Sequence, residues 1–110
     1  IYFLTKTNMN MDIDVLEIKK RLDNKEEFIF IDVREEHEYE EFNLGAKLIP
    51  LGTIPTAIAD YEDQKDAEIV IHCRSDGRSG MAQQLFQQQG FTKVRYETGG
   101  VLAWKIEHSA

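Results

Sequence analysis

In CRSDGR, residues 73–78, a thiol, two guanidinium groups and a carboxylate fall in one short stretch, which Ser79 and Gly80 extend. Cys73 is the only cysteine of the 110-residue chain. The stretch follows the apolar run EIVIH, 68–72, and precedes MAQQLFQQQG, 81–90, whose spacing predicts a helix. A thiol between a strand and a helix faces backbone N–H groups that have no partner inside the helix. With Arg74 and Arg78 beside it, the expectation is an electropositive cup that stabilises a thiolate or an anion carried on its sulfur. Gly77 and Gly80 let the backbone turn sharply. Ser79 is placed to cap the helix or to touch the anion through its hydroxyl. Most cysteines outside disulfides are small apolar fillers. The polar and glycine residues that follow Cys73 argue instead for a working thiol.

Three chemistries could use such a cup. A phosphatase would hold phosphoryl oxygens on the loop amides and an arginine. A metal site would need more ligands, and His37, His72 and His108 have no second cysteine to join them, so no metal is expected. A sulfur carrier would keep a terminal sulfur as a persulfide, whose negative charge the cup would stabilise.

The loop needs strands and helices to hold it, and the apolar patterning supplies them. Residues 1–11 show no clear period and are expected to be a short strand or tail ahead of a domain spanning 12–110. In MDIDVLEIKKRLD, Asp14 can cap a helix whose apolar face is Val15, Ile18 and Leu22. FIFIDV, 28–33, and EIVIH are uninterrupted apolar runs, typical of parallel strands covered on both faces. REEHEYEEF reads as a short charged helix with Arg34 and Glu38 spaced to pair. AKLIPL is a brief strand closed by Pro50, and Thr53 to Tyr61 a helix with Pro55 in its first turn. The helix over 79–89 is expected to turn Met81, Ala82, Leu85 and Phe86 inward and its glutamines outward, with Gly90 ending it. KVRYE, 93–97, is a further strand and GGVLAWKIEH a final helix. Phe91, Tyr96 and Trp104 read as core aromatics. Glu97 to Gly100 should approach the loop, since their strand ends on the side of Cys73. Strands alternating with helices imply an open α/β sheet, mainly parallel, with ligands beyond its carboxyl edge.

Composition narrows the partners. Apolar residues are 42% and charged residues 30%, ordinary for a globular domain, and the net charge of −7 argues against nucleic acid. No run approaches the roughly 20 apolar residues of a membrane span, and IYFL at the start lacks the pattern of a secretion signal. Beginning at Ile1 suggests a processed chain, an expression remnant or an excised domain. One cysteine cannot close an internal disulfide, so a cytoplasmic location is the expectation, and separately a monomer is expected.

These residues resemble the rhodanese (sulfurtransferase) homology domain from about residue 12 to 105. FIFIDVREEHEYEEF is similar to the family's strand, Asp-Val-Arg and acidic helix, and LGAKLIPL to its Gly-Ala-x-x-Ile-Pro segment. IVIHCRSDGRSGMAQQL resembles its active-site strand, loop and helix, and GFTKVRYETGGVLAW its carboxy-terminal signature. The resemblance implies five mainly parallel strands with helices on both faces. It also implies transfer of sulfane sulfur in two steps through a Cys73 persulfide. A donor such as thiosulfate or a persulfide would load the thiol, and cyanide, a thiol or a sulfur-carrier protein would unload it, with no cofactor. By the same likeness Arg78 closes the loop, Arg74 helps to bind an anionic donor, and the amides of Ser75 through Ser79 hold the outer sulfur. Asp32 and Arg34 would brace the site or simply pair. Four residues separate Cys73 from Arg78, where cysteine-dependent phosphatases have five, so the smaller loop suits sulfur better than phosphate. That leaves a phosphatase or arsenate reductase as a distant reading, behind a noncatalytic or regulatory module. Asp76 stands where the family commonly has glycine. It is expected to point outward, because a carboxylate about 6 Å from a thiolate costs on the order of 1–3 kcal/mol. EYEEFNLGA is one residue shorter than the usual spelling, as in rhodanese modules attached to enzymes that activate sulfur carriers.

Overall fold

The computed structural model describes residues 12–74 and 77–108, excluding the His108 side chain. The tail or strand expected over 1–11 lies outside the described residues, as do Ser75 and Asp76. Along the chain run β1 (Asp12–Ile13), α1 (Val15–Asp23), β2 (Ile29–Asp32), α2 (Glu36–Glu41) and β3 (Lys47–Leu48). A short α3 (Ile54–Ala57) follows, between 3-10 turns at Leu51–Thr53 and Ile58–Gln64. The carboxyl half is β4 (Glu68–His72), α4 (Gly77–Gln88), β5 (Lys93–Glu97) and α5 (Gly100–His108).

Among the described residues five strands form one sheet in the order β1-β5-β4-β2-β3, every pair parallel. The central β4 is the apolar EIVIH run, and both neighbours cover its backbone. Parallel neighbours need crossovers, and the helices supply them on both faces. On one face Ile31, Ile69, Ile71, Cys73 and Val94 pack with Ala82 and Phe86 of α4 and with Tyr61 and Phe91. On the other, Ile13, Val70 and Phe30 meet Ile18 and Leu22 of α1 and Trp104 of α5. Burying each such side chain contributes roughly 1.5–3 kcal/mol.

Local signals set the helix boundaries. Asp14 accepts the Glu17 amide at 2.9 Å and starts α1, a cap that contributes about 1 kcal/mol. Phe91 and Val94 are buried, and Tyr96 and Trp104 pack at the margins of the two cores.

Three expectations are corrected. The inward stripe of α4 is Ser79, Ala82, Gln83 and Phe86, whereas Met81 is 58% exposed. The helix begins at Gly77, its buried stripe follows the i, i+3, i+4, i+7 spacing from Ser79, and Gln83 earns its buried place by donating to the Val94 carbonyl at 2.8 Å. The single helix expected over 53–61 is instead one α-helical turn between two 3-10 segments. Arg34 does not pair with the Glu38 carboxylate, because Asp32, two residues upstream, takes its guanidinium at 2.9 Å.

Candidate active site

The connections fix where a ligand would sit. From β2 the chain crosses through α2 to β3 at one edge, while from β4 it crosses through α4 toward β5 on the other side. The carboxyl ends of β2 and β4 are therefore the point where the winding reverses, and open α/β sheets bind ligands in that crevice. Asp32 closes β2, and Cys73 follows β4 directly.

Cys73 is 1% exposed, and its Sγ accepts the Ser79 backbone N–H at 3.3 Å. Ser79 is the third residue of α4, so that amide is one of the helix's first-turn donors. The sulfur thus sits at the positive end of a helix macrodipole, as the sequence leads one to expect. The carbonyl side of Cys73 is held as firmly. Val101 N–H donates to the Cys73 carbonyl at 2.8 Å and Leu102 N–H to that of Arg74 at 3.1 Å. This brings the β5–α5 turn against the loop, as expected for residues 97–100. Gly100 (φ +56°) makes the approach possible, since a Cβ there would lie 2.1 Å from the Cys73 oxygen.

The two arginines differ. Arg74 is exposed and lines a cavity of about 220 Å³ with Arg34, Glu38, Glu41 and Lys105. Arg78 is half-buried and is clamped by Glu38 of α2, Nη1 to Oε1 at 2.6 Å and Nη2 to Oε2 at 2.9 Å. The Arg78 hydrogen bond draws the Glu38 carboxyl down to about 2, with the Glu35 amide helping against partial burial. The same hydrogen bond raises Arg78 above the usual guanidinium range, and the charges of Cys73 and Glu35 act in that direction too. The cup is therefore less positive than its two arginines suggest. One of them is already matched by a carboxylate 40 residues away.

Asp32 and Arg34 form a buried brace. The Arg34 Nε and Nη2 reach both Asp32 oxygens at 2.9–3.2 Å. The guanidinium also donates to the Glu38 and Phe42 carbonyls, at 3.3 and 2.6 Å, and so caps the end of α2. That cap orients the helix that presents Glu38.

Sequence reasoning missed one constellation. His72 is wholly buried, hydrogen-bonded through Nδ1 to Glu97 Oε1, with Nε2 3.9 Å from Asp32 Oδ2. Alternation along β4 puts this imidazole on the face opposite the Cys73 sulfur, against Phe30. The available signal was a glutamate ending a strand beside another strand's histidine, which needs the register to be read. Among the described residues no group of His, Cys, Asp and Glu could hold a metal ion.

Residues 14–107 match the Rhodanese-like domain family, and the chain belongs to it. A sulfurtransferase of Allochromatium vinosum is 33% identical over 94 residues, 84% of this chain and 86% of that protein. The tRNA uridine(34) hydroxylase of Escherichia coli O1:K1 is 30% identical over 103 residues, 89% of this chain but 29% of that protein. Among solved structures, the Rhodanese-like domain of Alr3790 from Anabaena sp. covers 88% of this chain and 74% of its own, at 27% identity and a TM-score of 0.76.

Proposed function

We propose that this domain is a sulfurtransferase in which Cys73 carries sulfane sulfur as a persulfide. The observation that carries the reading is the Cys73 sulfur at the amino end of α4, accepting the Ser79 amide. A terminal sulfur added to Cys73 would extend toward the same first-turn amides, where its charge is stabilised. In this reading Cys73 attacks the outer sulfur of thiosulfate or of a persulfide, and the leaving group departs as sulfite or a thiol. A thiophilic acceptor then removes the sulfur: cyanide in an assay, a small thiol or a sulfur-carrier protein in a cell. Arg78 stands beside the anionic sulfur, Arg74 meets the donor, Gly77 and Ser79 shape the loop, and Asp32 with Arg34 hold α2 in place. The chemistry needs no cofactor beyond the covalent intermediate. A reducing compartment such as the cytoplasm keeps the thiol available. Among the described residues no helix is long and apolar enough to cross a membrane.

The sulfurtransferase relative, matched over most of both chains, favours this reading over a noncatalytic module. Incubation with thiosulfate or an organic persulfide, followed by intact mass, tests it. The expected result is a gain of about 32 Da, one sulfur atom, that cyanide removes and that Cys73→Ser abolishes. Absence of the adduct with every donor, together with hydrolysis of p-nitrophenyl phosphate, would replace it with a phosphatase.

A further inference from the structure

The carboxylates around the thiol carry information about the donor. Glu38 grips Arg78 with both oxygens and accepts the Glu35 amide at 2.9 Å, so its charge is fixed on that bearing. Glu35 adds a second negative charge felt by Arg78. Asp32 cancels Arg34 within the same crevice. Arg74 and Lys105 remain at the cavity wall, and Glu41 stands on that wall with them. Cation and carboxylate are thus matched around the mouth, among the described residues. A site built to gather a dianion would leave its arginines open.

We propose that Glu38 determines donor specificity: by occupying Arg78 it makes the site favour an organic persulfide, with at most one negative charge, over dianionic thiosulfate. The inference rests on the sulfurtransferase reading above and adds the donor class to it. A dianion must displace Glu38 from Arg78 or meet its charge at close range, and a monoanion meets half that repulsion. The step balances without an oxidant. The Cys73 thiolate attacks the outer sulfur of R–S–SH, a Cys73 S–S bond forms as the donor S–S bond breaks, and the electron pair leaves on R–S⁻. The proton then passes from the transferred sulfur to the leaving thiolate, giving the Cys73 persulfide anion and R–SH. The transferred sulfur keeps its oxidation state. The cavity of about 220 Å³ lined by Arg74, Glu38 and Val101, residues that neighbour or hold the Cys73 loop, is large enough for a small R group.

The test follows loading of Cys73 by quenched intact mass, with thiosulfate and with 2-hydroxyethyl persulfide as donors. Glu38→Gln keeps an oxygen to accept from Arg78 and removes the charge. The expected result is a second-order loading constant about tenfold higher for thiosulfate but at most about threefold higher for the persulfide, which carries one negative charge or none. Glu41→Gln, at an exposed position, should shift the donor ratio the same way by about twofold, and added salt should narrow the gap between wild type and variant. A folded Glu38→Gln protein with an unchanged donor ratio overturns the proposal. If that variant does not fold, an unchanged ratio in Glu41→Gln overturns it equally. A wild type that loads from neither donor sinks the sulfurtransferase reading itself, a result distinct from a wild type that loads with no regard for Glu38.

Discussion

His72 and Cys73 are consecutive and both are almost fully buried, yet they serve opposite faces of the sheet. The Cys73 face carries the proposed chemistry: the sulfur lies under α4, touched by a helix amide and flanked by an arginine that α2 holds from outside. The His72 face is architectural. Its imidazole is tied to Glu97 and lies near Asp32, between strands, with Phe30 beside it. At the amino end of that same face, Glu68 joins Arg21 at 2.6 Å and Arg95 at 3.0 Å, linking α1, β4 and β5. A histidine next to a cysteine suggests a base and its nucleophile. The period of two along a strand separates them, so the histidine cannot take the thiol's proton directly.

Gly100 is where the two faces meet, and breaking it should have the largest effect. In Gly100→Ala the new Cβ would overlap the Cys73 oxygen and lie 2.8 Å from the Arg74 carbonyl, both backbone atoms. The turn must retreat and drag the loop with it. The expected cost is about 4 kcal/mol of stability, and a misplacement on the order of 1 Å should cut persulfide loading about 100-fold. Urea denaturation and mass-based loading check the two parts. A variant with wild-type loading would show that the β5–α5 turn does not position the thiol.

The comparison sharpens at Glu97. Glu97→Ala strips a buried partner from His72 without touching the Cys73 face. Removing one member of a buried pair costs about 3 kcal/mol, so the denaturation midpoint should fall clearly. Loading of Cys73, measured on the fraction that remains folded, should fall by no more than about threefold. A loss as large as that for Gly100→Ala would mean that the His72 face shapes the reaction and is not merely scaffold.

How much of this was legible beforehand depends on the distance between partners. The loop, its strand and its helix lie within twenty residues, and apolar periodicity with turn residues places them correctly. Asp14 announces α1 in the same local way. What pairs across the sheet does not show. The Arg34 guanidinium had two candidate carboxylates nearby, and only the turn after β2 decides for Asp32. Glu38 pairs with Arg78 and His72 with Glu97, contacts that need the strand order and the register of β4 on β5. Gln83 reads as surface until the carbonyl of Val94 is placed opposite it. Helix phase failed for a related reason: the buried stripe runs through Ser79, Ala82, Gln83 and Phe86, with Gln83 tied to Val94, and that spacing leaves Met81 on the outer side.

The smallest effect distinguishes the charge pairs of the two faces by pH. Glu38 titrates near 2 in the folded protein, below the ordinary value of 4.5, because Arg78 hydrogen-bonds its charged form. Burial pushes Glu68 up, but hydrogen bonds from Arg21 and Arg95 outweigh it and hold Glu68 below its ordinary range as well. A depressed carboxyl stabilises the fold above its unfolded value and loses that contribution as pH falls through its folded value. Both pairs should therefore support the fold at pH 7 and weaken below about pH 4.5, Glu38 until roughly pH 2. Because the side chains are 20% and 31% exposed, each share should be about 1 kcal/mol or less. Urea midpoints measured from pH 7 to pH 3 should show a shallower acid slope in Glu38→Gln and in Glu68→Gln than in wild type. Here the two residues must part company. Glu68 begins β4, at the edge of the sheet away from the thiol, so its neutralisation should leave the ratio of thiosulfate to persulfide loading where it was. Were Glu68→Gln to shift that ratio as Glu38→Gln does, the net charge of the chain would set donor choice, and the carboxylate at the mouth would lose its special part.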